Sequence, residues 1–248
     1  MKPAIFSDWN MTLIDQPDDS PALKQIGMDE LKYCFLHGKL GRLRKLASLK
    51  KEIERMVKEY REDPESHEEI LRRTYELYGK EAIPGIPMTR ILNSIGKYGK
   101  NAVNRLDGAF YEMMEAAGEK PTVIITVALD DGVHKVAGNG GNLFLLVDGS
   151  SIKHEDGIAT GFEMRNYNDK HIELGRQIRN PKLVKPGQKT VYMGDDFRDA
   201  PCAEVADIFV VAPLAKDDYR QLMACKYGSK VRTPSRRRGD VYKALTME

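Results

Sequence analysis

The stretch Ala4-Ile5-Phe6-Ser7-Asp8-Trp9-Asn10-Met11-Thr12 begins with a short apolar run and ends in polar residues. Such a run predicts a β-strand that is buried on both faces of a sheet. Asp8 directly follows this strand, and ligands of open α/β sheets bind where the parallel strands end. Asp8 is therefore a candidate site residue, although a carboxylate at this position also serves as a turn or helix-capping residue.

Four later apolar runs predict further strands, Thr122–Ile125, Leu143–Val147, Thr190–Met193 and Ile208–Val211. Between the first two strands, from about Asp19 to about Gly118, apolar residues instead recur at helical spacing, and Ser66 with Glu69 forms a predicted capping box. This order predicts an α/β fold, a Rossmann-like parallel sheet core with helices on both faces plus an inserted α-helical cap. We assign residues 1–15 and 100–248 to the core and residues 16–99 to the cap.

The composition of the 248-residue chain, 41% hydrophobic and 31% charged, is typical of a folded globular protein. Its net charge of +2 does not by itself favour nucleic acid as a partner. No apolar run approaches the roughly 20 residues that span a bilayer, and the first residues lack the features of a signal peptide. The three cysteines form neither a disulfide framework nor a zinc pattern. We therefore expect a cytoplasmic location and no membrane partner, and the oligomeric state is left open.

Polar residues also follow two later strands. Thr126 comes after the second strand, and Asp195 lies in Gly194-Asp195-Asp196-Phe197-Arg198-Asp199. Because the carboxyl ends of adjacent parallel strands meet in one crevice, we expect Asp8, Thr126 and Asp195 to converge. Neighbouring carboxylates repel each other unless a cation lies between them, and a set of oxygen ligands favours Mg²⁺.

A Mg²⁺ site beside a carboxylate indicates phosphoryl chemistry. Mg²⁺ with an open position binds a phosphate oxygen, and a carboxylate can attack phosphorus to give an aspartyl-phosphate. The backbone amides of Trp9 and Asn10 are expected to face the phosphoryl oxygens, and Thr126 offers a hydroxyl group. Lys170, at the start of the predicted helix before the Gly194 strand, is our choice to balance the negative charge. The alternative for Lys170 is an ordinary solvated helix residue.

In these features the chain resembles the haloacid dehalogenase-like hydrolase superfamily. The first motif of that family, Asp-x-Asp-x-Thr, is matched by Asp8-Trp9-Asn10-Met11-Thr12, and the Ser or Thr of the second by Thr126. The Lys of the third motif is matched by Lys170, and the Gly-Asp-x-x-x-Asp of the fourth by Gly194–Asp199. The resemblance covers residues 1–15 and about 100–215. The spacing between Lys170 and Gly194-Asp195, together with the cap position, places it nearest the phosphoserine phosphatase-like branch.

The resemblance implies a Mg²⁺-dependent phosphomonoester hydrolase, a phosphatase acting on a small phosphorylated substrate through an aspartyl-phosphate intermediate. Asp8 is then the nucleophile and a metal ligand, and Asp195 is a second ligand. The backbone carbonyl of Asn10 is a third ligand, and Asp199 supports the metal, with Asp196 as the alternative. Thr126, Lys170 and the amides of Trp9 and Asn10 bind the phosphoryl group.

Asn10 is the important departure from the family pattern. Phosphatases of the family have a second Asp there, which protonates the leaving group and later activates water, whereas a carboxamide transfers no proton at neutral pH. Met11 also stands where the family usually has Gly. Three interpretations stay open. The catalytic Asp was replaced in a variant, or the native enzyme is slow or uses another base, or the protein is a non-hydrolysing phospho-ligand binding protein on the same fold.

A further hypothesis is a phosphatase that acts on nucleic-acid ends. It draws on the basic cap helix near Arg42 and on Arg236-Arg237-Arg238 near the end of the sequence. The simpler interpretation of both is a solvated surface, because acidic residues interleave with the basic ones in the cap helix and no aromatic residues interleave with the three arginines. Nucleic acid is thus the less favoured partner.

Overall fold

The computed structural model describes residues 2–16, 21–62, 67–118, 122–139 and 145–246. The strands are β1 (Ala4–Ser7), β2 (Thr122–Leu129), β3 (Leu145–Glu155), β4 (Ile158–Glu163), β5 (Thr190–Gly194), β6 (Ile208–Val211) and β7 (Val231–Arg232). The helices are α1 (Pro21–Leu36), α2 (Leu40–Glu62), α3 (His67–Leu77), α4 (Met88–Ala102), α5 (Gly108–Ala117), α6 (Asp130–Asn139), α7 (Lys170–Ile178), α8 (Cys202–Val205), α9 (Asp217–Tyr227) and α10 (Asp240–Thr246). A π-helical turn, Tyr78–Ala82, follows α3. Ser66 of the predicted capping box and residues 143–144 of the third predicted strand lie outside the described residues.

The strands form one sheet in the order β4-β3-β2-β1-β5-β6-β7. All neighbours are parallel except β3 and β4, which are antiparallel. Side chains alternate between the two faces, so Ile5 belongs to one apolar core and Phe6 to the other. Helices cover both cores, and the predicted α/β fold with helices on both faces of a parallel sheet is confirmed.

The parallel strands place their carboxyl ends along one edge of the sheet. Ser7 of β1 pairs with Met193 of β5, and Gly194 pairs with Val211 of β6. The residues that follow β1, β5, β6 and β7 therefore all emerge at this edge, which we call the carboxyl edge. Every candidate site residue of the first and fourth motifs lies there.

Strands β3 and β4 form a hairpin arm that the sequence did not predict. β2 and β3 pair as far as Leu129 and Ser150, beyond the end of β1, and the arm continues to the turn at Asp156 and Gly157. Both turn residues have positive φ, 48° and 74°, which is the conformation that tight Asp-Gly hairpin turns require.

The segment of residues 83–87, which follows the π-helical turn, adds to this arm. The Gly85 N–H donates to the Ala159 carbonyl at 2.8 Å, and the Ala159 N–H donates to the Ile86 carbonyl at 2.9 Å. These bonds attach the helices before α4 to the outer strand of the arm.

A buried carboxylate joins three of the helices between β1 and β2. Glu30 of α1 lies 3.0 Å from the Arg42 guanidinium of α2 and 3.4 Å from that of Arg90 in α4. Arg42 also donates to the carbonyls of Ala82 and Pro84. Because a buried charge without its partners is costly, this cluster fixes the packing of α1, α2 and α4.

The predicted boundary between cap and core, at residues 99 and 100, falls within α4. This helix packs against both α1 and α6, and Gly99 lets the Lys135 side chain of α6 approach closely. The division into core and cap remains a prediction. None of the described helices has the length and apolar character needed to span a membrane.

Candidate active site

The end of β1 fixes the backbone of Asp8. The Asp8 N–H donates to the Met193 carbonyl of β5 at 2.9 Å, and the Ser7 hydroxyl donates to the Asp8 carbonyl at 2.8 Å. Asp8 is only 4% exposed. The nucleophile candidate is therefore held by the sheet itself at the carboxyl edge.

The loop after Asp8 turns sharply back on itself. The N–H groups of Leu13 and Ile14 both donate to the Trp9 carbonyl, and the Met11 N–H donates to the Ile14 carbonyl at 2.9 Å. Met11 has a φ of 50°, in the left-handed region that glycine adopts most easily. The position where the family usually has Gly thus keeps that backbone conformation with a Met side chain.

The indole ring of Trp9 belongs to the core. It is 1% exposed and meets the Phe110 ring of α5 edge to face, with centroids 6.2 Å apart. Its side chain anchors the loop, so the predicted substrate-binding role of Trp9 rests on its backbone amide.

Lys170 occupies the centre of the site. Its ammonium group lies 2.8 Å from Asp8 Oδ2 and 2.8 Å from Asp199 Oδ1, and the residue is 1% exposed. Burial alone would lower the pKa of Lys170, but the carboxylates of Asp199 and Asp8 outweigh burial and raise it. The lysine is therefore a fixed positive charge in contact with the nucleophile candidate.

Asp199 positions its neighbours. Besides Lys170, its carboxylate accepts the Tyr192 hydroxyl at 2.9 Å and the Asp195 N–H at 3.0 Å. A Cβ at Gly194 would lie 2.5 Å from the Asp199 side chain, so only glycine admits this approach. Burial raises the pKa of Asp199 to about 6, although Lys170 opposes the rise.

Asp195 completes a group of three carboxylates. One oxygen from each of Asp8, Asp195 and Asp199 lies within 4.8 Å of the others, and Asp195 accepts the Thr12 hydroxyl at 2.8 Å. Burial, followed by repulsion from Asp199 and Asp8, raises the pKa of Asp195 well above its ordinary value. A cation between these carboxylates would relieve that repulsion.

Two oxygen atoms at the site have no hydrogen-bond partner among the described residues, Asp8 Oδ1 and Asn10 Oδ1. The Asn10 amide nitrogen also lacks one within that part of the chain, although Asn10 is only 8% exposed. Buried polar atoms normally have a partner, so these atoms are open to a ligand. Carboxylate and amide oxygens beside Asp195 are metal ligands that suit Mg²⁺.

Thr126 lies on β2, two residues beyond Ile124, the partner of Ser7 in β1. It is fully buried, and its hydroxyl accepts the Ala128 N–H at 3.2 Å. Asn166 donates from its side-chain amide to the Thr126 carbonyl at 3.5 Å. By strand register Thr126 is level with the start of the loop after Asp8.

Three residues of the site, Thr12, Tyr192 and Gly194, have no role that was predicted from the sequence. Thr12 holds Asp195, Tyr192 holds Asp199, and Gly194 makes room for Asp199. A hydroxyl group in the middle of the buried strand β5 was the available signal for Tyr192. Asp196, the alternative metal support, is paired with Arg198, whose Nε donates to Asp196 Oδ2 at 2.8 Å.

The chain has the haloacid dehalogenase-like hydrolase fold. It is similar to cytosolic 5′-nucleotidase IIIB bound to cytidine, with a TM-score of 0.64 and 17% identity over 99% of this chain and 84% of that one. A phospho-aspartyl intermediate analogue of phosphoserine phosphatase is similar over 99% of this chain and 98% of that one, with a TM-score of 0.54 and 17% identity. A haloacid dehalogenase family hydrolase from Salmonella enterica serovar Typhi matches 99% of this chain and 73% of its own, with a TM-score of 0.53 and 15% identity.

No protein family model matches the sequence. No curated protein matches it either. At these identities the similarity establishes the fold, and the predicted resemblance is confirmed at that level.

Proposed function

We propose that the protein is a Mg²⁺-dependent phosphomonoester hydrolase that forms an aspartyl-phosphate on Asp8 and turns over slowly because of Asn10. The observation that carries the proposal is the position of Lys170. Its ammonium group contacts Asp8 Oδ2, while Asp8 Oδ1 has no hydrogen-bond partner within the described chain. The nucleophile is thus oriented through one carboxylate oxygen, and the other oxygen is open to a ligand.

The residues at the carboxyl edge fit Mg²⁺. The ion would be held by the carboxylates of Asp8 and Asp195 and by the backbone carbonyl of Asn10. Asp199 would support it indirectly through Asp195 and Lys170. When bound, Mg²⁺ would supply positive charge next to the transferring phosphoryl group.

Asp8 would attack phosphorus in line with the ester bond. A bond forms between an Asp8 carboxylate oxygen and phosphorus, the bond to the ester oxygen breaks, and the leaving oxygen takes a proton from solvent. Lys170, the Thr126 hydroxyl and the amides of Trp9 and Asn10 would stabilise the charge on the phosphoryl oxygens. Water then attacks phosphorus, the bond between phosphorus and the Asp8 oxygen breaks, and inorganic phosphate and a proton leave to solvent as the Asp8 carboxylate is regenerated.

Asn10 weakens both proton transfers. A carboxamide neither donates a proton to the leaving oxygen nor accepts one from water at neutral pH. The loss of a positioned acid-base group costs about 10²–10⁴ in rate. Esters with good leaving groups need no proton donor, so we expect them to be the best substrates of the natural sequence.

A generic aryl phosphate with Mg²⁺ tests the proposal. We expect weak turnover by the natural chain, turnover at least about 10²-fold faster by the Asn10→Asp variant, and none by Asp8→Asn. Equal activity of the Asp8→Asn and natural chains would refute the role of Asp8. No turnover by either the natural chain or Asn10→Asp, together with tight binding of a phosphate ester, would support the second candidate function.

That second candidate is a non-hydrolysing phospho-ligand binding protein. It is favoured by the carboxamide of Asn10, which has no hydrogen-bond partner among the described residues. For both candidates we expect a cytoplasmic protein whose helical cap helps to select the ligand. The nucleotidase and phosphoserine phosphatase names belong to the similar structures, and they make nucleotides and phosphoamino acids the first compounds to screen.

A further inference from the structure

We propose that the substrate of the site is the phosphorylated end of a single-stranded nucleic acid, whose following nucleotides lie along the carboxyl edge toward Arg237 and Arg238. This inference deepens the proposed function and rests on it. It is based on an exposed aromatic ring and a basic segment that both lie at the carboxyl edge of the sheet.

Strand register places the basic segment beside the site. Gly194, which precedes Asp195, pairs with Val211 of β6, and Val210 pairs with Arg232 of β7. Thr233 is therefore two strand spacings, about 10 Å, from Gly194. Arg236, three residues further along, donates from its Nε to the Pro213 carbonyl at 3.4 Å and so lies beside the loop that follows β6, at the same edge as Asp195. Arg237 and Arg238 follow directly.

The segment from Thr233 to Gly239 is held in place. The Arg220 guanidinium donates to the carbonyls of Ala212, Thr233 and Pro234 at 2.9, 3.0 and 2.6 Å. Arg220 thus ties the segment to the loop that follows β6. A side chain that spans three carbonyls gives the basic segment a defined course.

The far end of the segment is attached to α5. Both carboxylate oxygens of Glu112 accept backbone N–H groups at the start of α10, from Gly239 at 2.8 Å and Tyr242 at 2.9 Å. The same helix α5 carries Phe110, which packs on Trp9 next to Asp8. The segment therefore crosses from the edge strand β7 toward the helix that supports the catalytic loop.

The charges of this segment face solvent. Arg237 and Arg238 are both exposed, and neither forms an ion pair with another described residue. Lys216, in the loop after β6, is also exposed and adds a third cation at this edge. Such cations suit the phosphodiester groups of a single-stranded nucleic acid whose terminal phosphate reaches Asp8.

An exposed aromatic ring also lies at the carboxyl edge, in the loop that follows β5. Phe197, in the loop that joins Asp195 to Asp199, is 62% exposed. Its ring meets Tyr219 of α9 edge to face, with centroids 5.2 Å apart, and that contact fixes its orientation. Single-strand binding proteins combine exposed aromatic rings, on which bases stack, with cations that follow the backbone. This ring favours a nucleic acid over inorganic polyphosphate, which has no bases to stack.

The test measures binding of 5′-phosphorylated single-stranded oligonucleotides, from a mononucleotide to about eight nucleotides, by fluorescence anisotropy with Mg²⁺ present. The natural chain is compared with an Arg237→Gln/Arg238→Gln variant, with Phe197→Leu, and with the control Arg179→Gln/Lys185→Gln. The control removes two exposed charges between α7 and β5, at the opposite edge of the sheet.

We expect affinity to rise with length and the double-arginine variant to lose about tenfold in affinity for the longer strands. Its slope of log affinity against log salt should fall by about 1.4, the value for two single-strand phosphate contacts. Phe197→Leu should lose about fivefold or more, and the control should match the natural chain.

An affinity that does not depend on length would overturn the inference, as would equal losses in the double-arginine variant and its control. The inference would also be overturned if inorganic polyphosphate bound as tightly as the oligonucleotides and Phe197→Leu left oligonucleotide affinity unchanged. Loss of aryl phosphate turnover in Asn10→Asp, with oligonucleotide binding intact, would instead remove the proposed function alone.

Discussion

The ammonium group of Lys170 lies 2.8 Å from Asp8 Oδ2 and the same distance from Asp199 Oδ1. The start of α7 is thereby joined to the end of β1 and to the loop after β5. All three groups are buried, so the lysine compensates two carboxylates that would otherwise repel each other in a low-dielectric environment.

We expect Lys170→Met to lower the free energy of unfolding by about 3–5 kcal/mol, because it leaves Asp8 and Asp199 buried without their cation. Urea unfolding at neutral pH measures the loss. Lys182→Met, at an exposed position, is the matched control and should stay within about 0.5 kcal/mol of the natural chain. A loss below about 1 kcal/mol for Lys170→Met would contradict the view that the lysine holds the site together.

Gly194 is predicted to tolerate no side chain. The Cβ of Gly194→Ala would lie 2.5 Å from the Asp199 side chain, so the variant should lose about 1–3 kcal/mol of stability as Asp199 is displaced. Gly138→Ala is the control, because its Cβ meets nothing within 4 Å and a helical Ala is favoured over Gly. Thermal unfolding of the two variants should shift in opposite directions, and a neutral Gly194→Ala would show that Asp199 does not need this close approach.

A pH-dependent contribution to stability is expected from Asp207, away from the site. Partial burial would raise the pKa of Asp207, but the N–H and hydroxyl of Thr190 donate to its carboxylate and hold that pKa below its usual value of 3.8. A carboxyl group with a lowered folded pKa stabilises the protein above its unfolded pKa, and this contribution disappears as the pH falls through the folded pKa.

Asp207→Asn should therefore lose about 0.5–1 kcal/mol at pH 7, a value reduced for the partial exposure of the group. The difference from the natural chain should shrink below pH 3.8. Urea unfolding at several pH values measures the difference. A gap that widens toward acid pH would contradict the direction of the pKa shift.

Magnesium is expected to stabilise the protein through Asp195. An ion that binds only the folded state at 100 times its dissociation constant adds about 2.7 kcal/mol, which raises the melting temperature. Asp195→Asn should abolish most of that rise, whereas Asp156→Asn, at the exposed turn of the hairpin arm, should retain it. An unchanged magnesium response in Asp195→Asn would place the ion elsewhere.

The sequence predicts most of the parallel sheet, since β1 and β6 coincide with their predicted runs and β5 is one residue longer. It does not predict the outer part of β3 or any of β4. Residues such as Lys153 and Glu155 are exposed there, because the hairpin arm extends beyond the other strands and needs no continuous apolar run. The Asp156-Gly157 pair was the available hairpin signal. β7 is too short to leave a pattern.

The motifs in the sequence identify the four charged residues that lie together at the site, Asp8, Lys170, Asp195 and Asp199. The motifs do not reveal which hydrogen-bond partners each carboxylate has. Asp199 accepts from Lys170, Tyr192 and the Asp195 N–H, and these contacts depend on side-chain directions that strand order alone does not fix. The course of the three arginines likewise depends on the contacts of Arg220 and of Glu112, and Glu112 is more than 120 residues away in the sequence.

The most direct test of the proposed chemistry is to look for the phosphoryl group on Asp8. The natural chain is mixed with an aryl phosphate and Mg²⁺, quenched in acid, and analysed by intact mass and peptide mapping. Because Asn10 cannot activate water, we predict that one phosphoryl group accumulates on Asp8, is released by hydroxylamine, and is absent from Asp8→Asn. A phosphoryl group on another residue would contradict the account, as would its absence from Asp8 when the Asn10→Asp variant hydrolyses the same ester.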